Sequence, residues 1–290
     1  MSRVETKPSQ TAKIVCYMRA LAYKEVGEPI ANDFLAHHFL SPNLRARIES
    51  AEHRAQILEN EVPSANYAYL TARTRHLDQL FEAALHDGTE QIVFLGAGYD
   101  TRPYRFPNVP DGFRIFELDA PTTQNAKREY MQLANIEAPP HVTFVPIDFN
   151  RSRMEDVLPL AGYDTTKRTL FIWEGVTYYI EAYAVDSTLA FIRDNAPAGS
   201  RVAFDYIVER LALGDRSDYG ADEAAAAVDE VDEPFIFGLP EGGVADYLAS
   251  RGFELTQHFT PDEFHAGFLD DRFGRIYGFF FNAVAAVLPQ

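Results

Sequence analysis

The chain changes its hydrophobic rhythm once, near residue 90. Before that point apolar residues recur every three or four positions. Ile14, Met18 and Leu21 follow Ser9 and Thr11, either of which can cap a helix. Ala31 to Leu40 is an apolar block closed by Ser41-Pro42, Leu44 to Leu58 is a charged helical stretch, and Tyr67 to Leu85 is a longer helical pattern halted by Asp87-Gly88. The pattern predicts a helical cap over residues 1–90, with no strand of its own, that packs on the sheet and covers its ligand edge. From Gln91 short apolar runs alternate with helical ones. Strands are predicted at Ile92–Leu95, Phe113–Leu118, Val142–Pro146, Thr169–Trp173, Ser200–Asp205, Glu254–His258 and Arg275–Phe281, and helices at Thr122–Leu133, Ala184–Asn195 and Gly243–Arg251. Such alternation implies an α/β fold with a doubly wound, mostly parallel seven-stranded sheet covered on both faces and ending in a hairpin.

Between residues 208 and 240 the alternation lapses. Ala221 to Glu233 carries six acids and no base. It reads either as a solvated helix or loop, or as part of a lid over the substrate. The organisation expected is one domain over 1–290, its sheet core at 91–207 and 241–290 interrupted by a lid insertion at 208–240.

Composition narrows the partners. A net charge of -17 over 290 residues argues against nucleic acid, whose binders need a basic surface, and against an anionic membrane. Cys16 is the only cysteine, so neither an internal disulfide nor a thiolate metal cluster is expected. The first residues lack an apolar signal segment, and no apolar run approaches the roughly 20 residues of a membrane span. A cytoplasmic protein is expected, and its oligomeric state is not readable.

Candidate chemistry begins at Gln91-Ile-Val-Phe-Leu-Gly96-Ala-Gly98. An apolar strand enters a Gly-x-Gly turn where backbone can approach a ligand, and the next strand ends in Asp119, placed to hold a ribose. A structural turn is the plain alternative. The dinucleotide fingerprint needs a third glycine, which would fall at Thr101. S-adenosylmethionine has no phosphate and needs no third glycine, which favours a methyltransferase over a dehydrogenase. Asp148, after the third strand, can accept from an adenine amino group with Phe149 against the ring; it can equally cap a helix. Glu174, after the fourth strand, can bind the cofactor ammonium or form a structural salt bridge. Tyr178 and Tyr179 are candidates for the acceptor pocket or for core. Arg73 or Arg75, closing the helix before the first strand, can clamp a carboxylate. His37-His38 can form a general-base pair but reads first as exposed and inert, no grouping has metal-ligand spacing, and no Gly-x-Ser-x-Gly elbow occurs.

Leu95-Gly-Ala-Gly-Tyr-Asp-Thr-Arg102, Phe116-Glu-Leu-Asp-Ala-Pro121, Trp173-Glu-Gly-Val-Thr-Tyr-Tyr-Ile180 and Phe204-Asp-Tyr206 together resemble the leucine carboxyl methyltransferase family, which includes polyketide carboxyl O-methyltransferases of the tetracenomycin type. Ser9-Gln-Thr-Ala12 and Met18-Arg-Ala20 resemble its N-terminal motif. The resemblance implies a Rossmann-like methyltransferase sheet, with Gly96 and Gly98 near the cofactor, Asp119 on ribose, Asp148 on adenine and Glu174 at the methionine end. It implies Arg73 on the cofactor carboxylate, helped by Lys13. Leu211 to Pro240 has no counterpart, and in this family that region shapes the acceptor pocket.

The expected function is therefore S-adenosylmethionine-dependent O-methylation, first of a small-molecule carboxylate, which is already a nucleophile at neutral pH. A phenol or hydroxyl of secondary metabolism is the alternative acceptor. An NAD-binding oxidoreductase and a non-catalytic methyltransferase-like binding protein are the readings from other classes.

Overall fold

The computed structural model describes residues 7–28, 30–148 and 152–289. Seven strands form one sheet: β1 (Gln91–Leu95), β2 (Arg114–Asp119), β3 (Val142–Pro146), β4 (Thr169–Trp173), β5 (Arg201–Ile207), β6 (Phe253–Phe259) and β7 (Phe280–Val287). Their order is β3-β2-β1-β4-β5-β7-β6. The first five run parallel, and β7 lies antiparallel between β5 and β6. β1 and β4 are buried along their whole length, which is why they read as unbroken apolar runs. Strand order reverses between β1 and β4, so a crevice opens beyond their carboxyl ends, where Gly96 and Glu174 follow.

The helices are α1 (Gln10–Glu25), α2 (Pro42–Glu49), α3 (Ala51–Asn60), α4 (Ser64–Ala84), α5 (Arg102–Arg105), α6 (Pro121–Leu133), α7 (Met154–Val157), α8 (Ala182–Asn195), α9 (Glu209–Ala212), α10 (Ala221–Glu230), α11 (Val244–Ala249) and α12 (Pro261–Phe268). Ser9, not Thr11, caps α1, its hydroxyl accepting the Ala12 N–H at 3.1 Å. The stretch expected as one helix from Leu44 to Leu58 is two. Ser50 adopts an extended conformation between them, and its hydroxyl caps α3 by accepting from His53 at 3.3 Å. The block at Ala31 to Leu40 contains only a short 3-10 turn, Ala36–Phe39.

Helix α4 fastens the cap to the sheet. Its lower face, Leu77, Leu80, Phe81 and Ala84, packs on Ile92, Phe94, Ile115, Leu170, Ile172, Ala203 and Val284. Its upper turns bring Tyr69 and Arg73 to the ends of β4 and β5.

Two sequence expectations shift. The last strand begins at Phe280, not Arg275, because Tyr277 is committed elsewhere. A Cβ added to Gly220 would sit 2.2 Å from its ring, and its hydroxyl donates to Glu223 at 3.3 Å. The final antiparallel pair is also no tight hairpin: α12, with a Thr260–Glu263 capping box, stands between its strands.

Residues 208–240 leave and rejoin the sheet at one point. Glu209 donates to the Leu239 carbonyl at 2.8 Å, and Leu239 to that of Ile207 at 3.0 Å. Within this segment α10 buries Ala221, Ala224, Ala225 and Val228 and turns its acids outward. Four of the six acids in the run thus form the wet face of a docked helix, and Asp232 and Glu233 follow its end. No helix among the described residues is long and apolar enough to cross a membrane.

Candidate functional site

The glycine turn is shaped by what leans on it. Gly96 has φ +84° and Gly98 φ +49°, both in the left-handed region. A Cβ on Gly96 would lie 2.6 Å from Val176 Cγ2, and one on Gly98 3.3 Å from the Ala12 Cβ. The segment after β4 and the first turn of α1 therefore both close on this loop. Gly98 donates its N–H to Asp119 Oδ2 at 2.5 Å, and Ala120 donates to Asp119 Oδ1 at 2.6 Å. Burial pushes the Asp119 carboxyl up to about 6, with those two N–H groups opposing the rise. Asp119 remains partly solvent-accessible.

Thr101 explains the missing third glycine. Its buried hydroxyl donates to Asp33 Oδ1 at 2.6 Å and accepts from Arg105 Nε at 3.0 Å, bonds that glycine lacks. Asp148 lies just past β3, half-buried, its carbonyl accepting from Ser152 at 2.7 Å. Phe149 falls outside the described residues. Lys13 is half-buried on α1, one residue from the Ala12 that meets Gly98.

Behind the turn runs a buried chain of ion pairs. Arg19 Nε meets Asp33 Oδ2 at 2.8 Å, and its Nη2 donates to the Tyr99 carbonyl at 2.6 Å. Arg105 pairs with Asp33 at 3.8 Å and also binds Asp78. Arg102 Nε meets Asp78 at 2.7 Å, while its Nη1 binds Asp100 and reaches Glu174 Oε2 at 2.9 Å. Glu174 Oε1 meets Arg73 Nε at 3.0 Å, and Arg73 Nη1 reaches Asp205 Oδ2 at 2.6 Å. Burial alone would raise the Glu174 pKa, but Arg73 and Arg102 overcome it and hold the carboxyl at about 2.

The two candidate charges at the methionine end, Arg73 and Glu174, are thus brought together and paired with each other. Arg75 points elsewhere, its Nη1 donating to the Phe268 carbonyl at 2.8 Å. Tyr178 is buried, with its hydroxyl 3.2 Å from Arg73 Nη1 and donating to Asp205 Oδ2 at 3.1 Å. Tyr179 is half-buried and stacks on Phe235 of the insertion, ring centres 5.7 Å apart. His37 and His38, expected to be exposed, are half-buried and lie against one another, ring centroids 3.9 Å apart, outside this chain of ion pairs.

Sequence reasoning passed over Asp205, Arg19 and Arg102 as site residues. All three lie inside quoted motifs, Phe204-Asp-Tyr206, Met18-Arg-Ala20 and Asp-Thr-Arg102. For Asp205 and Arg19 a charged residue inside an apolar run was the available signal, which Arg102 lacks. Glu233 was also missed. Its carboxylate accepts from Thr11 Oγ1, from the Gln10 N–H at 3.2 Å and from Ser9 Oγ at 3.4 Å, tying the insertion to the start of α1.

Comparison with known proteins gives the family. The family model for leucine carboxyl methyltransferase matches residues 12–193, which include the glycine turn and Glu174. A Bacillus subtilis protein named for S-adenosyl-L-methionine-dependent methyl transfer, YktD, is 31% identical over 205 residues, covering 69% of this chain and 66% of that protein. The chain thus spans about two thirds of that relative's length. A Mycobacterium tuberculosis relative named for the same activity is 30% identical over 284 residues, covering 91% of this chain and 80% of its own. The crystal structure of a DUF574-family protein from Streptomyces avermitilis has the same fold, with a TM-score of 0.58, 15% identity, and coverage of 98% of this chain and 100% of that one.

Proposed function

Because the chain belongs to the leucine carboxyl methyltransferase family of S-adenosylmethionine-dependent methyltransferases, we propose that it methylates an oxygen, first of all the carboxylate of a small molecule. The observation that carries the reading is the setting of the glycine turn. Gly96 and Gly98 approach the crevice at the point of strand reversal, with Asp119 on one side and the Arg73–Glu174 pair on the other.

The residues fit the cofactor by the chemistry of their donor set. Asp119 would accept from ribose hydroxyls and Asp148 from the adenine amino group. Arg73 would receive the amino-acid carboxylate and Glu174 the ammonium, with Lys13 close by. When bound, S-adenosylmethionine supplies an electrophilic methyl group on a sulfonium.

This chain's own task is to align the acceptor and exclude water. Positioning of that kind supplies on the order of 7–11 kcal/mol. An ionised carboxylate needs no base. The phenols nearest the site are poor ones, because burial and the Asp205 carboxylate hold Tyr178 and Tyr69 protonated, well above the ordinary tyrosine pKa. This supports a carboxylate acceptor over a phenol. Residues 208–240, latched to α1 through Glu233, would serve as the lid over the acceptor, with Phe235 of the lid stacked on Tyr179.

The test is calorimetric titration with S-adenosylhomocysteine and, in parallel, NAD. Binding of the first alone supports the reading, and binding of NAD alone overturns it. An acceptor screen then compares carboxylic acids with phenols, scored by methyl ester against methyl ether.

A further inference from the structure

Asp205, on β5, is only 2% exposed, and its carboxylate accepts four hydrogen bonds. Oδ1 takes the Gly175 N–H at 2.7 Å. Oδ2 takes Arg73 Nη1 at 2.6 Å, Tyr69 Oη at 2.9 Å and Tyr178 Oη at 3.1 Å. These donors come from α4, from the turn after β4 and from the 3-10 turn Thr177–Tyr179. Three of these bonds converge on Oδ2 and one on Oδ1, and burial closes the carboxylate to a ligand.

Arg73 is therefore held by two acids of different kinds. The side chain of Glu174 keeps 10% of its surface exposed, whereas that of Asp205 keeps 1%. Glu174 is the more open of the two acids and meets a ligand first; the Arg73 side chain, itself only 3% exposed, is uncovered as Glu174 turns away. An amino-acid end carries one carboxylate and one ammonium. Entering between Arg73 and Glu174, it exchanges one ion pair for two, its carboxylate on the arginine and its ammonium on the glutamate. During that exchange Arg73 gives up Glu174, and a buried guanidinium left unpaired is strongly disfavoured.

We propose that Asp205 is the positioning residue of the amino-acid subsite: it keeps Arg73 paired and aimed while Glu174 turns to the ligand. Tyr69 and Tyr178 hold Asp205 in turn, and the Gly175 N–H ties it to the backbone beside Glu174. The proposal rests on the reading of the cofactor as S-adenosylmethionine.

The experiment measures affinities of wild type, Asp205→Asn, Arg73→Ala and the double variant for S-adenosylhomocysteine and for 5′-methylthioadenosine, which lacks the amino-acid end. Wild type that binds neither ligand defeats the cofactor reading itself. Given wild-type binding, Asp205→Asn is expected to lose at least about tenfold in affinity for S-adenosylhomocysteine, the scale of one charge-assisted bond, and less than about twofold for methylthioadenosine. The double variant is expected to lose no more than Arg73→Ala alone, because Asp205 acts through Arg73. Equal loss on both ligands, no loss on either, or additive losses would overturn the proposal. Where Asp205→Asn does not fold, Asp205→Glu keeps the charge but displaces it by one methylene, and the same split between the two ligands decides.

Discussion

Gly98 and Asp119 are bonded to each other, backbone N–H to Oδ2 at 2.5 Å, so the turn after β1 and the end of β2 form one unit. The bond orients the carboxylate beside the turn. It only partly offsets the burial that lifts its pKa from 3.8 to about 6.

Cofactor affinity should therefore depend on pH through Asp119. Folding favours its protonated form, so its contribution to stability is greatest below the ordinary value of 3.8 and declines as pH rises through about 6. Ligand binding should run the other way, since only the ionised carboxylate is a full acceptor for ribose hydroxyls. S-adenosylhomocysteine is expected to bind more weakly as pH falls through about 6 and to release protons on binding near that pH. Calorimetry in buffers of different ionisation enthalpy measures both. Asp119→Asn should abolish the pH dependence and weaken adenosine and S-adenosylhomocysteine alike, by at least about tenfold.

Glu174 has the opposite sign. Its folded pKa of about 2 lies below the ordinary 4.5, so its contribution to stability is complete above 4.5 and is lost as pH falls toward 2. Glu174→Gln takes one partner from each of Arg73 and Arg102, which keep Asp205 and the Asp78–Asp100 pair, and should cost about 1–3 kcal/mol at neutral pH. Urea unfolding across the acid range should show a shallower loss of stability in the variant than in wild type. Equal slopes would refute the pairing.

Gly96→Ala should destabilise by about 1–3 kcal/mol, from the left-handed backbone and from overpacking against Val176. Adding Val176→Ala should recover the packing part and leave the backbone part. Thermal melts of the two single variants and the double variant separate the contributions.

Glu233→Gln should loosen the latch between the insertion and α1 without unfolding either. Faster amide exchange at Gln10 and Thr11 and faster release of S-adenosylhomocysteine are expected, with α10 protection unchanged. This is a cleaner probe than removing residues 221–233, because that deletion also strips buried Ala221, Ala224, Ala225 and Val228 from the core. Unchanged exchange and release would count against a lid.

The strand pattern and the glycine turn were legible because each is local. An apolar run, a turn and an acid at the next strand end lie within one stretch of chain. Asp205 was not legible in its role, since its partner Arg73 lies 132 residues away and nothing in Phe204-Asp-Tyr206 encodes that meeting. The start of β7 was missed for a similar reason. Tyr277 to Phe281 is aromatic except at Gly278, and the packing of Tyr277 on Gly220 decides where the strand begins. The division of Leu44 to Leu58 turned on a single hydroxyl, that of Ser50, which suits a cap as well as a helical surface.

The ion-pair chain carries one more acid than base: Asp33, Asp78, Asp100, Glu174 and Asp205 stand against Arg19, Arg73, Arg102 and Arg105. On the proposed cofactor reading, the methyl donor arrives with a net positive charge and leaves, after transfer, with none. A surplus negative charge so placed favours the donor over its spent form. Product inhibition would then be eased by the same buried acids that assemble the site.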